Sequence, residues 1–70
     1  MLPLSMANVG ETIYIQRITG KDMIRQHLAE MGLVVGEPVK IVSSSGHNVI
    51  LAVKGSRVAL DKTLVNRIMV

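Results

Sequence analysis

The sequence predicts a small, mainly β protein: a closed or partly closed barrel of five short strands with one inserted α-helix. Short runs of β-branched residues alternate with tight turns that contain glycine, which is typical of small barrels. One segment in the first half of the chain instead has helical periodicity. The chain has 70 residues, of which 49% are hydrophobic, so residues 1–70 are expected to form one domain around one core.

The first strand is expected to run from Thr12 to Ile18, after a turn at Gly10-Glu11, because it is rich in β-branched residues. Thr19 and Asp22 follow with the spacing of a capping box, in which the first side chain caps the start of a helix. The helix itself is expected over about residues 21–31.

The apolar positions of this helix are Met23, Ile24, Leu28 and Met31. The two methionines are expected to fill space in the core. Gly32 is expected to end the helix with a positive φ angle, and Leu33 is expected to fold back onto Leu28.

The second half of the chain is predicted to be β structure. Its strands are expected at Val39–Ser43, Asn48–Lys54, Arg57–Leu60 and Arg67–Val70. Asn48–Lys54 is expected to be the longest of them. Gly55-Ser56 is expected to form a two-residue type II′ loop because glycine comes first. Asp61 is expected to cap a short helical turn over residues 61–65.

The alternation of apolar residues in these segments also predicts the core. The expected buried positions are Ile13, Ile15, Ile24, Leu28, Leu33, Val49, Leu51, Val58, Leu60 and Ile68.

The composition argues against several classes of function. The chain has no cysteine, which excludes disulfides and thiolate chemistry and fits the cytosol. Its net charge of +3 is spread singly along the chain, and Tyr14 is the one aromatic residue, so a nucleic-acid partner is not expected. No apolar run is long enough to cross a membrane and no signal peptide is evident, so a cytoplasmic protein without direct membrane insertion is expected.

Catalysis and tight metal binding are not expected either. The serines near His47 do not make a catalytic triad, and no glycine-rich phosphate loop is present. His27 and Glu30 are spaced to share an ion on the helix, but a dedicated site needs three or more converging ligands. We therefore expect no cofactor, and at most weak binding of Fe(II) or another divalent transition metal ion.

Several motifs, in their order and spacing, resemble the ferrous iron transport protein A (FeoA) family over essentially the whole chain. Pro3-Leu4-Ser5 and Val9-Gly10-Glu11 resemble the opening of that family. The segment His27–Gly36, HLAEMGLVVG, is similar to its arginine-leucine-x-x-leucine-glycine-leucine-x-proline-glycine segment. Val58–Asp61 and Ile68–Val70 are similar to its ending.

The chain departs from the family pattern at three positions. His27 stands where arginine is usual, Met31 where leucine is usual, and Val35 where proline is usual. The exchange at Met31 conserves volume and leaves the expected fold unchanged.

The resemblance implies an SH3-like barrel and a cytosolic accessory role in ferrous iron uptake. The implied partner is the cytosolic part of a membrane ferrous iron transporter that carries a GTP-binding domain. The alternative is a stand-alone domain that binds or senses transition metals, like the SH3-like domain of metal-dependent repressors. Self-association stays open at this stage.

The predicted partner-binding residues are Arg25, His27, Val34 and Val35. Leu33 is used by the helix stop, but Val34 and Val35 need not both be buried. Exposed aliphatic side chains beside a charged residue would form a small apolar patch with a charged rim. The alternative is that both valines close the open end of the barrel.

Overall fold

The computed structural model describes residues 1–70 and contains six strands, two α-helices and one 3₁₀ turn. In chain order these are a 3₁₀ turn at Leu4–Met6, β1 at Thr12–Tyr14, β2 at Arg17–Ile18, α1 at Asp22–Glu30, β3 at Pro38–Ser45, β4 at Asn48–Val53, β5 at Ser56–Asp61, α2 at Lys62–Val65 and β6 at Ile68–Met69.

The strands form two antiparallel sheets around one core. The larger sheet has four strands in the order β1-β3-β4-β5, and the smaller one pairs β2 with β6. Leu2 and Val70 exchange two backbone hydrogen bonds of 2.9 and 2.8 Å, which tie the start of the chain to its last strand. The predicted mainly β architecture with an inserted helix is confirmed.

The predicted strand Thr12–Ile18 is two strands, so the barrel has six strands and not five. The N–H group of Ile15 donates to the carbonyl of Glu37 at 3.0 Å, whereas that of Gln16 donates to the carbonyl of Met69 at 2.8 Å. The chain therefore leaves the larger sheet and joins the smaller one within two residues, which is how a strand forms the corner of a barrel.

The hairpin between β4 and β5 also differs from the prediction. Val53 pairs with Ser56, so the two loop residues are Lys54 and Gly55 rather than Gly55 and Ser56. Their φ angles are +50° and +76°. Two positive φ angles define a type I′ turn, which matches the twist of the strands. The longest strand is β3, with 8 residues, and not β4, with 6.

Helix α1 begins differently from the prediction and ends as predicted. The residue before it is Lys21, with no side-chain cap, and the Thr19 hydroxyl donates to the Arg67 carbonyl at 3.2 Å instead of capping the helix. At the other end, Gly32 has a φ angle of +86°. The N–H of Leu33 donates to the carbonyl of Leu28 at 3.0 Å, and that of Gly32 to Ala29 at 2.9 Å. These two bonds complete a Schellman motif.

Asp61 caps helix α2, as predicted. Its Oδ1 atom accepts a hydrogen bond of 3.0 Å from the N–H of Leu64 and a second one from the hydroxyl of Thr63. The hydrogen bond from Thr63 and then that from Leu64 stabilise the charged carboxylate and lower the pKa of Asp61 below its ordinary value.

The core contains 14 buried residues, all hydrophobic. Seven of them were predicted: Ile15, Leu28, Leu33, Val49, Leu51, Leu60 and Ile68. The other predicted positions, which are Ile13, Ile24 and Val58, are half-buried and pack against this core. The buried residues that were not predicted are Leu4, Ile18, Val39, Ile41, Val53, Val65 and Val70.

The prediction that Met23 fills the core is wrong, because the residue is 82% exposed. Ile24, Leu28 and Met31 lie one helical turn apart and form the stripe that faces the barrel. Met23 lies five residues before Leu28, which places it about 140° around the helix from that stripe.

Candidate partner-binding surface

The segment after α1 is a tight turn that presents two valines. The N–H of Glu37 donates to the carbonyl of Val34 at 3.1 Å, and Gly36 has a φ angle of +91° at the third position. This is the pattern of a type II turn, which places Val35 at its corner. Val35 is 64% exposed and Val34 is 38% exposed. Neither valine therefore closes the barrel as a buried residue.

The turn is fixed to the larger sheet. The N–H of Gly36 donates to the carbonyl of Ile15 at 2.8 Å, and the N–H of Ile15 donates back to Glu37. Tyr14, which precedes this junction, is 58% exposed and pairs in register with the exposed Pro38. Four exposed apolar residues thus surround one rigid junction of backbone. We call this set, Tyr14, Val34, Val35 and Pro38, the turn patch.

A charged pair lies beside the turn patch. The Nζ atom of Lys54 is 3.4 Å from a carboxylate oxygen of Glu37, the last residue of the turn. The Lys54 side chain also passes over Gly32 at the end of α1. The pair therefore links the β4–β5 hairpin to the helix end and to the turn, and gives the turn patch an ionic rim. Lys54 lies at the tip of this hairpin because the loop residues are Lys54 and Gly55. The predicted loop, Gly55-Ser56, did not include it.

Arg25 and His27 both lie on exposed positions of α1. They are two residues apart, so they point about 200° apart around the helix and flank opposite sides of its buried stripe. The Arg25 guanidinium forms an ion pair with Asp22, one turn earlier on the same helix. The structure therefore brings Val34 and Val35 together, but places Arg25 and His27 on different flanks of the helix.

The surface has few other features that could support catalysis or the binding of a metal ion or small ligand. His27, Glu30 and His47 are exposed, and no group of three or more histidine, aspartate or glutamate side chains lies close enough to hold a metal ion. No pocket opens on the surface. Neither helix has the length and apolar character needed to cross a membrane.

Comparison with known proteins places these features in a family context. The FeoA domain pattern matches residues 2–70. A relative from Methanocaldococcus jannaschii, named "Putative Fe(2+) transport protein A", is 33% identical over 70 residues, which is 100% of this chain and 85% of the relative. A crystal structure described as iron uptake regulatory protein (FeoA) is 34% identical and superposes with a TM-score of 0.87, covering 96% of this chain and 89% of that one.

More distant structures share the fold. FeoA of Stenotrophomonas maltophilia, crystallised with zinc and described as an SH3 domain protein, is 24% identical with a TM-score of 0.84 over 99% of this chain and 88% of that chain. A manganese-dependent transcriptional repressor is 16% identical with a TM-score of 0.85, and the match covers 94% of this chain but 38% of the repressor. These likenesses confirm the predicted SH3-like barrel.

Proposed function

The chain belongs to the FeoA domain family, and from this premise we propose that it is a small cytoplasmic accessory protein of ferrous iron uptake. In this proposal the domain catalyses nothing. It binds the cytosolic part of a membrane Fe(II) transporter that carries a GTP-binding domain, and it acts through that contact.

The turn patch is the observation that supports this proposal best. Val35 and Tyr14 are both more than half exposed, although the barrel has buried 14 other apolar residues. Exposed apolar residues grouped around one junction are typical of a protein-interaction site. The ionic rim of Glu37 and Lys54 beside them matches the usual arrangement of a small interface, with an apolar centre and a polar edge.

The rigidity of the turn favours binding by a preformed surface. Gly36 and Glu37 of the turn form backbone hydrogen bonds with Ile15, and Leu33, the residue before the turn, is bonded to Leu28 in the Schellman motif. These hydrogen bonds restrain the backbone on both sides of Val35. A surface that is already ordered loses little conformational entropy when a partner binds, so even a small patch can support a specific contact.

The contact would act on the transporter by changing the balance of its conformations. A domain without catalytic groups can alter a partner only if it binds one of the partner's states more tightly than another. In this proposal the states are those of the cytosolic part of the transporter, and the accessory protein favours the state that supports uptake.

Substitution of Val35 tests the proposal. Val35→Asp places a charge at the corner of the turn and is expected to abolish capture of the transporter's cytosolic part by the purified domain. Val9→Asp is the matched control, because Val9 is 60% exposed and lies at the opposite end of β1, next to Gly10, which bonds to Ile41. Equal capture by wild type and Val35→Asp, with both proteins folded, would contradict the proposal.

Metal binding is the second candidate function. It is favoured by the S. maltophilia FeoA structure, which was solved with zinc, and by the fold shared with a manganese-dependent repressor. In this chain His27 and Glu30 lie one helical turn apart, but no third ligand joins them. A site built from these two side chains would have to be completed by water or by another molecule, so we expect it to be weak.

A further inference from the structure

Strand β5 has an unpaired edge. It is the last strand of the larger sheet, with β4 on one side and no strand on the other. No segment outside the sheets donates a backbone hydrogen bond to it or accepts one from it, apart from the start of α2. The strand pairs with β4 through all 6 residues without a bulge and contains neither proline nor glycine. Two features that often block edge pairing, a proline and a β-bulge, are therefore missing.

The hairpin fixes which backbone groups of β5 point outward. In a two-residue hairpin the residues that flank the loop, here Val53 and Ser56, form a hydrogen-bonded pair. The hydrogen-bonded and non-hydrogen-bonded pairs then alternate along the ladder. Arg57, Ala59 and Asp61 fall in the non-hydrogen-bonded pairs, so their N–H groups point to the free edge. All three residues are exposed.

We propose that this edge pairs with β5 of a second copy of the chain, antiparallel about a two-fold axis through Ala59. In that register Ala59 of one copy faces Ala59 of the other, and Arg57 of each copy faces Asp61 of the other. The paired residues are those with outward N–H groups. Backbone hydrogen bonds therefore form between the two Ala59 residues, and the N–H of each Asp61 donates to the carbonyl of Arg57 in the other copy.

Charge complementarity favours a second copy over an unrelated peptide. Along the edge, the residues with outward N–H groups have a cationic side chain at Arg57, a small one at Ala59 and an anionic one at Asp61. An antiparallel partner presents the same order in reverse. Each end of the ladder therefore joins opposite charges, a cross-strand arrangement that stabilises a sheet. One carboxylate oxygen of Asp61 is used by the cap of α2, which leaves the other for the arginine.

The inward face of the joined strands is also compatible with this register. Half-buried Val58 is placed beside Leu60 of the second copy, so pairing would cover apolar surface that the single chain leaves partly open. Ala59 at the axis has no long side chain to keep the two strands apart. The contact is short, so the dimer is weak and in rapid exchange with the monomer.

Sedimentation velocity from roughly 10 µM to 1 mM protein tests this inference. Wild type is expected to shift from monomer to dimer over that range. Arg57→Glu places two carboxylates opposite each other at both ends of the ladder, and is expected to raise the dissociation constant roughly tenfold or more. Lys40→Glu is the matched control, because Lys40 is exposed in the same row of the sheet, across Ala52 from Arg57, but lies away from the edge. It changes the net charge equally and is expected to leave dimerisation intact.

Amide hydrogen exchange supplies a second measurement that does not depend on a variant. The N–H groups of Ala59 and Asp61 are expected to exchange more slowly as protein concentration rises, while exposed amides elsewhere do not change. A chain that stays monomeric at about 1 mM, an equal effect of Lys40→Glu, or protection confined to another surface would each overturn the inference. None of these outcomes bears on capture of the transporter by the turn patch.

Discussion

The side chain of Lys54 lies over Gly32, so a Cβ atom placed on that glycine would be 3.3 Å from Cδ of the lysine. One residue is at the tip of a β-hairpin and the other ends a helix. Their contact joins the two parts of the chain that border the turn patch. Gly32 thus has two constraints: its φ angle of +86° and the lysine above it.

Substitution of Gly32 separates these constraints. Gly32→Ala is expected to lower the free energy of unfolding by about 1–2 kcal/mol through the left-handed backbone, because the flexible lysine can move aside. Gly32→Val is expected to cost more, since a β-branched residue rarely adopts positive φ. Gly46→Ala is the control for the backbone constraint alone, because Gly46 also has a positive φ angle, +54°, but has open space around it. Urea denaturation measures all three, and an unchanged Gly32→Val variant would contradict the role of this glycine.

Sequence reasoning succeeded where a few neighbouring residues decide the structure. The Schellman motif at Gly32 and the cap at Asp61 depend on contacts within one or two turns, and both were predicted. The hairpin loop was misplaced by one residue because its position depends on the register in which β4 and β5 pair. The break after Tyr14 depends on Glu37 and Met69, which are distant in sequence.

The candidate surface was predictable to a similar extent. The use of Leu33 by the helix stop made exposure of Val34 and Val35 one of two predicted outcomes, the other being that both valines close the barrel. The ion pair between Lys54 and Glu37 was missed because it joins a hairpin tip to a turn from another part of the chain. The roles of Arg25 and His27 in partner binding remain predictions.

Truncation of Leu28 is expected to be severe. The side chain is fully buried, so its truncation removes volume from the centre of the core. Leu28→Ala is expected to cost about 2–5 kcal/mol, which approaches the whole stability of a domain of this size. Met23→Ala on the exposed side of the same helix is the control and is expected to change stability by less than about 0.5 kcal/mol. Thermal melts of the two variants make the comparison, and equal melting temperatures would be inconsistent with the packing of α1.

The cap of α2 predicts a loss of stability in acid. The pKa of Asp61 is lowered in the folded chain from a reference value of 3.8, mainly by the hydrogen bond from Thr63. A lowered pKa means that the folded state favours the carboxylate, so this contribution is full above the unfolded pKa and disappears as pH falls through the folded one. Asp61→Asn is expected to flatten the dependence of stability on pH in this acidic range.

Substitution of Thr63 provides a graded comparison for the same cap. Thr63→Val removes the largest cause of the lowered pKa but leaves the bond from Leu64. The acid transition of this variant is expected to lie between those of wild type and Asp61→Asn, as followed by denaturant melts over a pH series. Identical pH profiles for all three proteins would show that Asp61 contributes nothing in acid.

Titration with ferrous iron under anaerobic conditions tests the metal alternative. Because no three potential ligands converge, calorimetry is expected to detect at most weak binding. His27→Ala is expected to change the weak signal slightly, and His47→Ala serves as the control from an exposed turn. A tight site with a fixed stoichiometry that is lost in His27→Ala but retained in His47→Ala would replace the accessory proposal with a metal carrier.

The last prediction separates the turn from the helix as parts of the partner-binding surface. Val34→Asp and Arg25→Glu together are expected to abolish the function of the domain in a cell that depends on ferrous iron uptake. Both residues are exposed, so the doubly changed chain is expected to keep its fold, which circular dichroism would verify. Arg25→Glu also breaks the ion pair with Asp22, but an exposed pair of this kind contributes at most about 1 kcal/mol to stability.

The single variants then show how much of the loss of function each residue causes. If the turn patch dominates, Val34→Asp alone reproduces most of the loss, because Arg25 lies on a flank of α1 and its guanidinium already has a partner. Uptake of radioactive iron at the wild-type rate by cells carrying the folded double variant would show that the transporter contacts another face of the barrel.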